Sequence, residues 1–421
     1  MPENAAMPDE AANSESVATS MPPVRTERLA IEGGTPVRAA LLPYGKQSID
    51  DADIAAVADV LRSDWLTTGP AVAAFEQALA DRVNTACAVA VNSGTAALHA
   101  LMHAIDLKPG DEVIVPTLTF ASTANVVLFA GATPVFCDVD SSTLLADPAS
   151  VADRITPRTR AIVAVDFAGQ PCAYEALSDI ATRHGVSLLS DGCHALGARY
   201  RGNPVGCLTR LTAFSFHPVK AITTGEGGAV TTSDTELAER MRSFRNHCMN
   251  RDHHARAAGG SWEYAIAELG WNYRLSDIQC ALGLSQLARL EAFIARRRLI
   301  AGWYDVRLRD LPHVEPLTVG DGVDHAYHLY VVQLEPAALA VDRSAVFSAL
   351  RAEGIGVNVH YQPVHLQPLY RDRLGTGPGD CPVAEAAYEH ILSLPIFPAM
   401  TEQDVDDVVT ALAKVLRAYQ R

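Results

Sequence analysis

The sequence predicts an α/β fold: a large domain built on a mostly parallel sheet, followed by a smaller C-terminal α/β domain. Two patterns predict it. Between Cys87 and Ser190, short apolar runs alternate with stretches of helical composition, as expected of parallel strands covered by helices on both faces. After a break near Leu311-Pro312 the chain resumes as strand, helix, strand and closing helix. The expected division is a tail over 1–28, a large domain with an N-terminal arm over 29–311, and a small domain over 312–421.

Size and charge narrow the function. A chain of 421 residues allows two or three domains. With 48% hydrophobic and 20% charged residues it can bury a large core. The net charge of −15 argues against nucleic acid or anionic membranes as partners, so an anionic ligand needs a local pocket. No run approaches the roughly 18 apolar residues of a membrane span. The stretch Met1 to Thr26 is rich in Ala, Ser, Glu and Pro and has no basic region before an apolar core. It reads as a disordered tail rather than a signal peptide, and the chain as cytoplasmic. None of the eight cysteines forms a C-x-x-C pair. Reduced, buried thiols are expected, and no metal site.

In chain order, Pro43-Tyr44-Gly45-Lys46-Gln47 precedes a helix over Asp50–Arg62. Asp64-Trp65-Leu66-Thr67-Thr68-Gly69-Pro70 is a loop by its Gly-Pro end, and Val72–Arg82 a second helix. A strand over Ala88–Val91 leads through Asn92-Ser93-Gly94-Thr95 into a helix over Ala96–Ile105. That turn offers free N–H groups and hydroxyls at a helix N-terminus, where the dipole favours phosphate. Simple capping by Ser93 or Thr95 explains it equally. Further strands are expected over Glu112–Pro116, Pro134–Val139, Ala161–Val165 and Val186–Ser190, with helices over Thr123–Ala130 and Tyr174–His184. Phe120 is a ligand aromatic or a core residue.

The strand Val186–Ser190 runs into Asp191-Gly192-Cys193-His194. A carboxylate at the C-terminal edge of a parallel strand is where ligands collect in open α/β sheets; a helix cap or a structural ion pair would use the same Asp. His194 packs either on a ligand or in the core. The next strand, Leu211–Phe216, ends in His217-Pro218-Val219-Lys220, and a Thr/Gly-rich turn returns the chain to a strand at Ala229–Thr232. Apolar neighbours strip hydration from a lysine, lower its pKa and free its amine as a nucleophile that condenses with carbonyl groups. A surface lysine on a hairpin is the plain alternative. A helix over Thr235–Asn246 follows, then a polar loop, Asn250–Trp262, whose Arg251, His253, His254 and Arg256 face solvent or an anionic substrate. Leu269–Ser276 leads into a long helix over Asp277–Phe293, for which an Asx or Ser cap is available. In the last part, strands are expected over His325–Leu334 and Ile355–His360 and helices over Ser344–Glu353 and Glu402–Tyr419, with His360-Tyr361-Gln362-Pro363-Val364-His365 opening into a loop.

The segment Phe214 to Gly228 resembles the cofactor-lysine motif of the DegT/StrS-type nucleotide-sugar aminotransferases, and the resemblance runs from about Pro43 to the C-terminus. It implies the aspartate-aminotransferase-like fold (fold type I) and pyridoxal 5'-phosphate (PLP) as cofactor. By this resemblance Lys220 and Asp191 are the catalytic pair. Lys220 binds the cofactor covalently and then acts as the base, while Asp191 keeps the pyridine nitrogen protonated. The resemblance gives Ser93, Gly94, Thr95 and Ser215 to the phosphate and Phe120 to the ring face, with His194 packed against the cofactor. Asn272 would reach the phosphate in the neighbouring subunit of a homodimer with shared sites. Lys46, Leu66, Thr67, Thr68, Gly69, His217, Tyr273, Arg274, His360, Tyr361, Gln362 and Pro363 are implied to bind the nucleotide sugar.

The implied reaction is a ping-pong transamination with L-glutamate as donor. Within the family the likeness is greatest to the transaminases that make UDP-4-amino-4,6-dideoxy-N-acetyl-β-L-altrosamine for pseudaminic acid. It rests on Pro43–Gln47, Asp64–Pro70, the lysine segment, Leu269–Ser276 and Asn358–His365 together. Amination of a different dTDP- or GDP-linked keto sugar is the rival. A non-catalytic sugar- or cofactor-binding protein is another, against which the intact Lys220 and Asp191 argue. Relatives that remove a hydroxyl carry His where this chain has Lys220.

Overall fold

The structure, a computed structural model, describes residues 28–249 and 262–421. The expectations for the tail over 1–26 and for the loop over 250–261 lie outside the described residues. Among the described residues thirteen strands follow one another: β1 (Cys87–Val91), β2 (Glu112–Pro116), β3 (Thr133–Cys137), β4 (Thr159–Val165), β5 (Ser187–Asp191), β6 (Arg199–Tyr200), β7 (Asn203–Pro204), β8 (Thr212–Ser215), β9 (Gly228–Thr232), β10 (Val314–Pro316), β11 (Val323–Asp324), β12 (Tyr330–Leu334) and β13 (Ile391–Leu394).

Seven of them form the central sheet in the order β1-β9-β8-β5-β4-β2-β3. The pairs from β8 through β5, β4 and β2 to β3 are parallel, and β9 runs antiparallel to both its neighbours, β8 and β1. All strands of this sheet except β9 therefore end on one edge. β2 and β9 are buried along their whole length, as a sheet covered on both faces requires. The fold is aspartate-aminotransferase-like.

Local signals set the helix ends. Asp50 caps Asp51–Arg62 in a capping box with Asp53, Thr401 does the same for Glu402–Tyr419 with Asp404, and left-handed Gly185 closes Tyr174–His184. The helix over Asp277–Phe293 is corrected to two, Asp277–Ala288 and Leu290–Leu308, which meet at a bend on Arg289. Arg289 is held there by ion pairs to Asp50 and Asp53 and lies 4.9 Å over the Phe293 ring. The composition is helical across the bend, so only these distant partners mark it.

The strand over Ile355–His360 is also corrected. It makes single bridges only, Ile355 with Leu42 and Asn358 with Ser393. Side chains replace the ladder: Asn358 Oδ1 accepts from its neighbour Val359 N at 2.8 Å, and His360 Nδ1 lies 2.8 Å from Ser393 Oγ. The antiparallel sheet β10-β12-β13 packs with the helices Arg343–Ala352 and Glu402–Tyr419 around Tyr304, Val332, Leu350 and Leu412, a core that also takes in Leu29 and Leu42.

Candidate active site

The site lies where β1, β5 and β8 end. Asp191 is the last residue of β5 and is buried. Its Oδ2 accepts a hydrogen bond from Thr123 Oγ1 at 2.7 Å, and Thr123 Oγ1 is 2.8 Å from Thr119 Oγ1. Its Oδ1 accepts from Cys193 N at 3.2 Å. The carboxylate is thus fixed by two donors and faces a cavity of about 530 Å³.

The helix Gly94–Ala104 begins on the same cavity. Ser93 is its N-cap, accepting from Ala96 N at 3.0 Å, so the capping reading holds for that hydroxyl. Gly94 is required by close approach: a Cβ there would lie 2.8 Å from Ser215 Cβ. The bare backbone of Gly94 and Thr95 and the Ser215 side chain together form a small polar cradle at the positive end of a helix dipole. These groups fit a phosphate, and Asp191 fits a protonated ring nitrogen, as PLP demands.

Lys220 closes the site from the β8–β9 connection. The turn that carries it is held by Thr224 N on Phe216 O at 3.0 Å, Phe216 N on Gly227 O at 2.8 Å and Thr223 Oγ1 on Phe216 O at 3.1 Å. Desolvation lowers the pKa of the Lys220 amine, against the opposing pull of Cys193 and Asp191. Its Nζ is 3.4 Å from His328 Nε2. The His328 and His194 rings lie 4.3 Å apart, and His194 Nε2 is 3.1 Å from the Tyr361 hydroxyl. Burial pushes His194 and His328 well below the ordinary histidine range and His360 down to about 3. Lys220 is therefore surrounded by neutral imidazoles. Gly169, at φ 97°, lets His194 and His328 come together, because a Cβ there would meet His194 O at 2.9 Å and His328 N at 3.0 Å.

Of the residues singled out in the sequence, Ser93, Gly94, Thr95, Phe120, Asp191, His194, Ser215, His217, Lys220, His360 and Tyr361 all line this one cavity. Phe120 is 58% exposed and 6.0 Å from the Tyr361 ring, so it is not a core residue. The others stand outside the lining. Lys46 is exposed. Leu66 and Thr67 belong to a loop tied to Asp277, whose N–H donates to Thr67 O at 2.9 Å, while Thr68 and Gly69 line a separate concavity of about 310 Å³. Asn272 is exposed, Tyr273 packs on Trp271 and His99, and Arg274 donates to Asn246 Oδ1 at 2.6 Å. Gln362 and Pro363 follow Tyr361 but are not among the lining residues; the Gln362 amide oxygen accepts from Gln367 Nε2 at 3.1 Å.

Sequence reasoning missed several members of the lining: His328, Thr119, Tyr44 and Asn358, together with the Asp191 partner Thr123. Histidines interrupting the apolar run His325–Leu334 were the available signal for His328.

A mainly parallel sheet, a carboxylate at a strand end and a desolvated lysine across a phosphate cradle define a PLP-dependent aminotransferase of fold type I. The chain belongs to the DegT/DnrJ/EryC1/StrS aminotransferase family, whose sequence profile matches residues 47–413. It is 42% identical over 382 residues to the spore coat polysaccharide biosynthesis protein SpsC of Bacillus subtilis (strain 168), covering 90% of this chain and 98% of that protein. Among solved structures it is similar to the putative sugar aminotransferase Spr1654 from Streptococcus pneumoniae in its PMP-form (TM-score 0.85, 32% identity, covering 90% of this chain and 99% of that one). It is also similar to Helicobacter pylori PseC, an aminotransferase involved in the biosynthesis of pseudoaminic acid (TM-score 0.84, 32% identity, 90% and 100% covered). The chain is a sugar aminotransferase that uses PLP. Among the described residues, no helix is long and apolar enough to cross a membrane.

Proposed function

We propose that this protein transfers the amino group of L-glutamate to the 4-keto group of a UDP-linked 4-keto-6-deoxy-N-acetylhexosamine, in pseudaminic acid biosynthesis in the cytoplasm. The observation that carries the reading is the single cavity into which Lys220, Asp191 and the Gly94 helix terminus all open. The likeness to PseC supports the choice of sugar.

Bound PLP supplies an electron sink and carries the amino group from donor to sugar. The chain's own groups do the rest. Asp191, fixed by Thr123 and Cys193, holds a proton on the ring nitrogen. Gly94, Thr95 and Ser215 bind the phosphate and fix the ring's position. The Lys220 amine, poorly hydrated and so readily neutral, would take the proton from the donor's α-carbon and deliver it to the cofactor carbon, and in the second half would carry a proton the other way, onto the sugar carbon that gains nitrogen. Phe120 and His194 hold the ring faces, and His217, His360 and Tyr361 line the sugar end.

We further assign a homodimer with shared sites. Among the described residues, Lys220 is the only lysine or arginine in the cavity lining, yet a nucleotide diphosphate and the donor's carboxylates need several positive groups. Phe129, Leu269 and Trp271 form an exposed apolar face beside Asn272, suited to a second copy. In this reading Asn272, Tyr273 and Arg274 act in the partner's cavity, along with Lys46, Leu66, Thr67, Thr68 and Gly69 at the nucleotide, and Gln362 and Pro363 at the rim.

The test is a screen of 4-keto sugars on UDP, dTDP and GDP with L-glutamate, following 2-oxoglutarate and the amino sugar by mass. Borohydride treatment of the holoenzyme in parallel should fix the cofactor to the peptide carrying Lys220. The UDP-linked N-acetyl sugar should turn over fastest. A faster dTDP or GDP sugar would replace the proposed substrate. Label on another lysine, or no turnover of any sugar, would remove Lys220 from its role or favour the non-catalytic reading.

A further inference from the structure

We propose a second, non-catalytic site on this protein: a zinc-class metal centre formed by His103, Cys248 and Glu268. The three residues come from separate parts of the chain. His103 is in the last turn of the helix Gly94–Ala104, Cys248 follows the helix Thr235–Phe244, and Glu268 precedes Gly270 and Trp271. Their ligand atoms all lie within 4.8 Å of one another. The sequence offered no metal spacing because the ligands are this far apart along the chain.

The geometry points to an ion rather than to direct contacts. Among the described residues, the buried His103 Nε2 has no hydrogen-bond partner. Glu268 Oε1 stands 3.7 Å away, too far for a hydrogen bond. The Cys248 thiol donates to Leu269 O at 3.5 Å and is also engaged by Ser243, neutral contacts that a thiolate bound to an ion would give up or reorient. A ring stack of His103 on Phe244, with centroids 4.1 Å apart and planes at 13°, fixes the imidazole's orientation. Cys248 is held by its own N–H on Ser243 O at 2.9 Å, and by Gly270, where a Cβ would come within 2.4 Å of Cys248 N.

A thiolate, an imidazole and a carboxylate suit zinc, which binds S, N and O at about 2.0–2.3 Å. Such a centre would draw the three ligands together by roughly 1 Å relative to this structure. His103 also lines the cavity of about 490 Å³ that the proposed second copy would cover, so a fourth ligand would be a water enclosed at that interface. The nearby Arg240 cation is engaged by Asp106 at 3.2 Å, which offsets its repulsion of a metal ion. The ion would pin the 262–270 segment to the main sheet's helices.

The experiment uses untagged, PLP-loaded protein treated with chelator, given zinc chloride and dialysed. Bound zinc is measured by elemental analysis and the thermal midpoint by scanning. One zinc per chain is expected, with a higher midpoint. Glu268→Gln, an exposed change that leaves the core intact, should cut retention at least tenfold, and Cys248→Ser should abolish it. A His253→Ala/His254→Ala variant should retain zinc. No retained zinc in the parent protein, equal retention in Glu268→Gln, or loss in the His253/His254 variant would overturn the proposal.

Discussion

Nζ of Lys220 lies 3.4 Å from Nε2 of His328. The relationship joins residues 108 positions apart and gives the amine a neighbour that stays uncharged. His328 is held in place through its backbone: the buried Arg297 guanidinium donates to Tyr327 O at 3.0 Å and Ile396 O at 3.0 Å, and reaches His328 O at 3.4 Å.

This pair sets an expectation for pH. The Lys220 pKa is lowered chiefly by desolvation, and a base works only when neutral. The rate of proton abstraction should therefore fall as pH drops through the Lys220 pKa. His328→Ala opens the site to water, which restores hydration to the ammonium form and raises that pKa. The acid limb of kcat should move to higher pH, with lower activity at neutrality. His194, His328 and His360 are held neutral by burial, so none of them should add a limb near pH 6.5. An unmoved limb in His328→Ala would separate His328 from the amine.

Asp191→Asn tests the opposite wall. The amide is nearly isosteric, keeps an oxygen for Cys193 N, and turns its NH₂ towards a Thr123 hydroxyl able to accept instead of donate. Folding should survive. A neutral amide does not stabilise a protonated ring nitrogen, so kcat should fall by on the order of 10²-fold or more. Turnover within about threefold of the parent would leave Asp191 a structural residue only.

These two sites show how far the sequence reached. Asp191 and Lys220 were legible because each breaks a local rule, a charge where an apolar strand ends. The helices Tyr174–His184 and Glu402–Tyr419 were legible as such, and the structure shows Gly185 closing the first and Thr401 with Asp404 capping the second. The bend at Arg289 was not, since nothing local interrupts the helical pattern there and its partners Asp50 and Asp53 lie far back in the chain. His328, Thr119 and Thr123 were missed for a related reason: their roles depend on which residues the fold sets opposite them. Asn272, Tyr273 and Arg274 stand outside this chain's cavity, so a resemblance suggested them where no packing argument within one chain did.

A buried ion pair carries a stability prediction. Lys414 Nζ donates to Glu353 Oε2 and to Thr35 O, each at 2.9 Å, and both side chains are almost fully buried. Glu353 also accepts from Ala30 N at 2.8 Å and Val37 N at 3.0 Å, tying the N-terminal arm to the helix Glu402–Tyr419. Lys414→Met leaves the carboxylate buried without its countercharge and should cost roughly 3–5 kcal/mol. Adding Glu353→Gln removes the stranded charge and should recover part of that loss. Urea midpoints of the two variants decide it, and a Lys414→Met change under about 1 kcal/mol would place the pair among weak surface bridges.

The last prediction concerns Asn272. Its backbone is anchored to its own chain: Asn272 bridges Asn246, and its carbonyl is 3.4 Å from Asn92 Nδ2. Its side chain is nevertheless exposed and outside its own cavity, as a residue acting in a partner's site would be. Mixing an inactive Lys220→Ala chain with an inactive Asn272→Ala chain tests this. In a mixed dimer one composite site joins intact Lys220 to intact Asn272, and the other carries both defects. Activity should return on mixing, to at most about half of the parent's per mixed dimer if the two sites are independent. A hydrogen bond to a charged phosphate is worth roughly 1.5–3 kcal/mol, so loss of Asn272 acts mainly on cofactor affinity. The mixing is therefore done at limiting PLP, where that weakness shows as lost activity. No recovery under those conditions, with mixed dimers demonstrated by mass, would place Asn272 outside the partner's site.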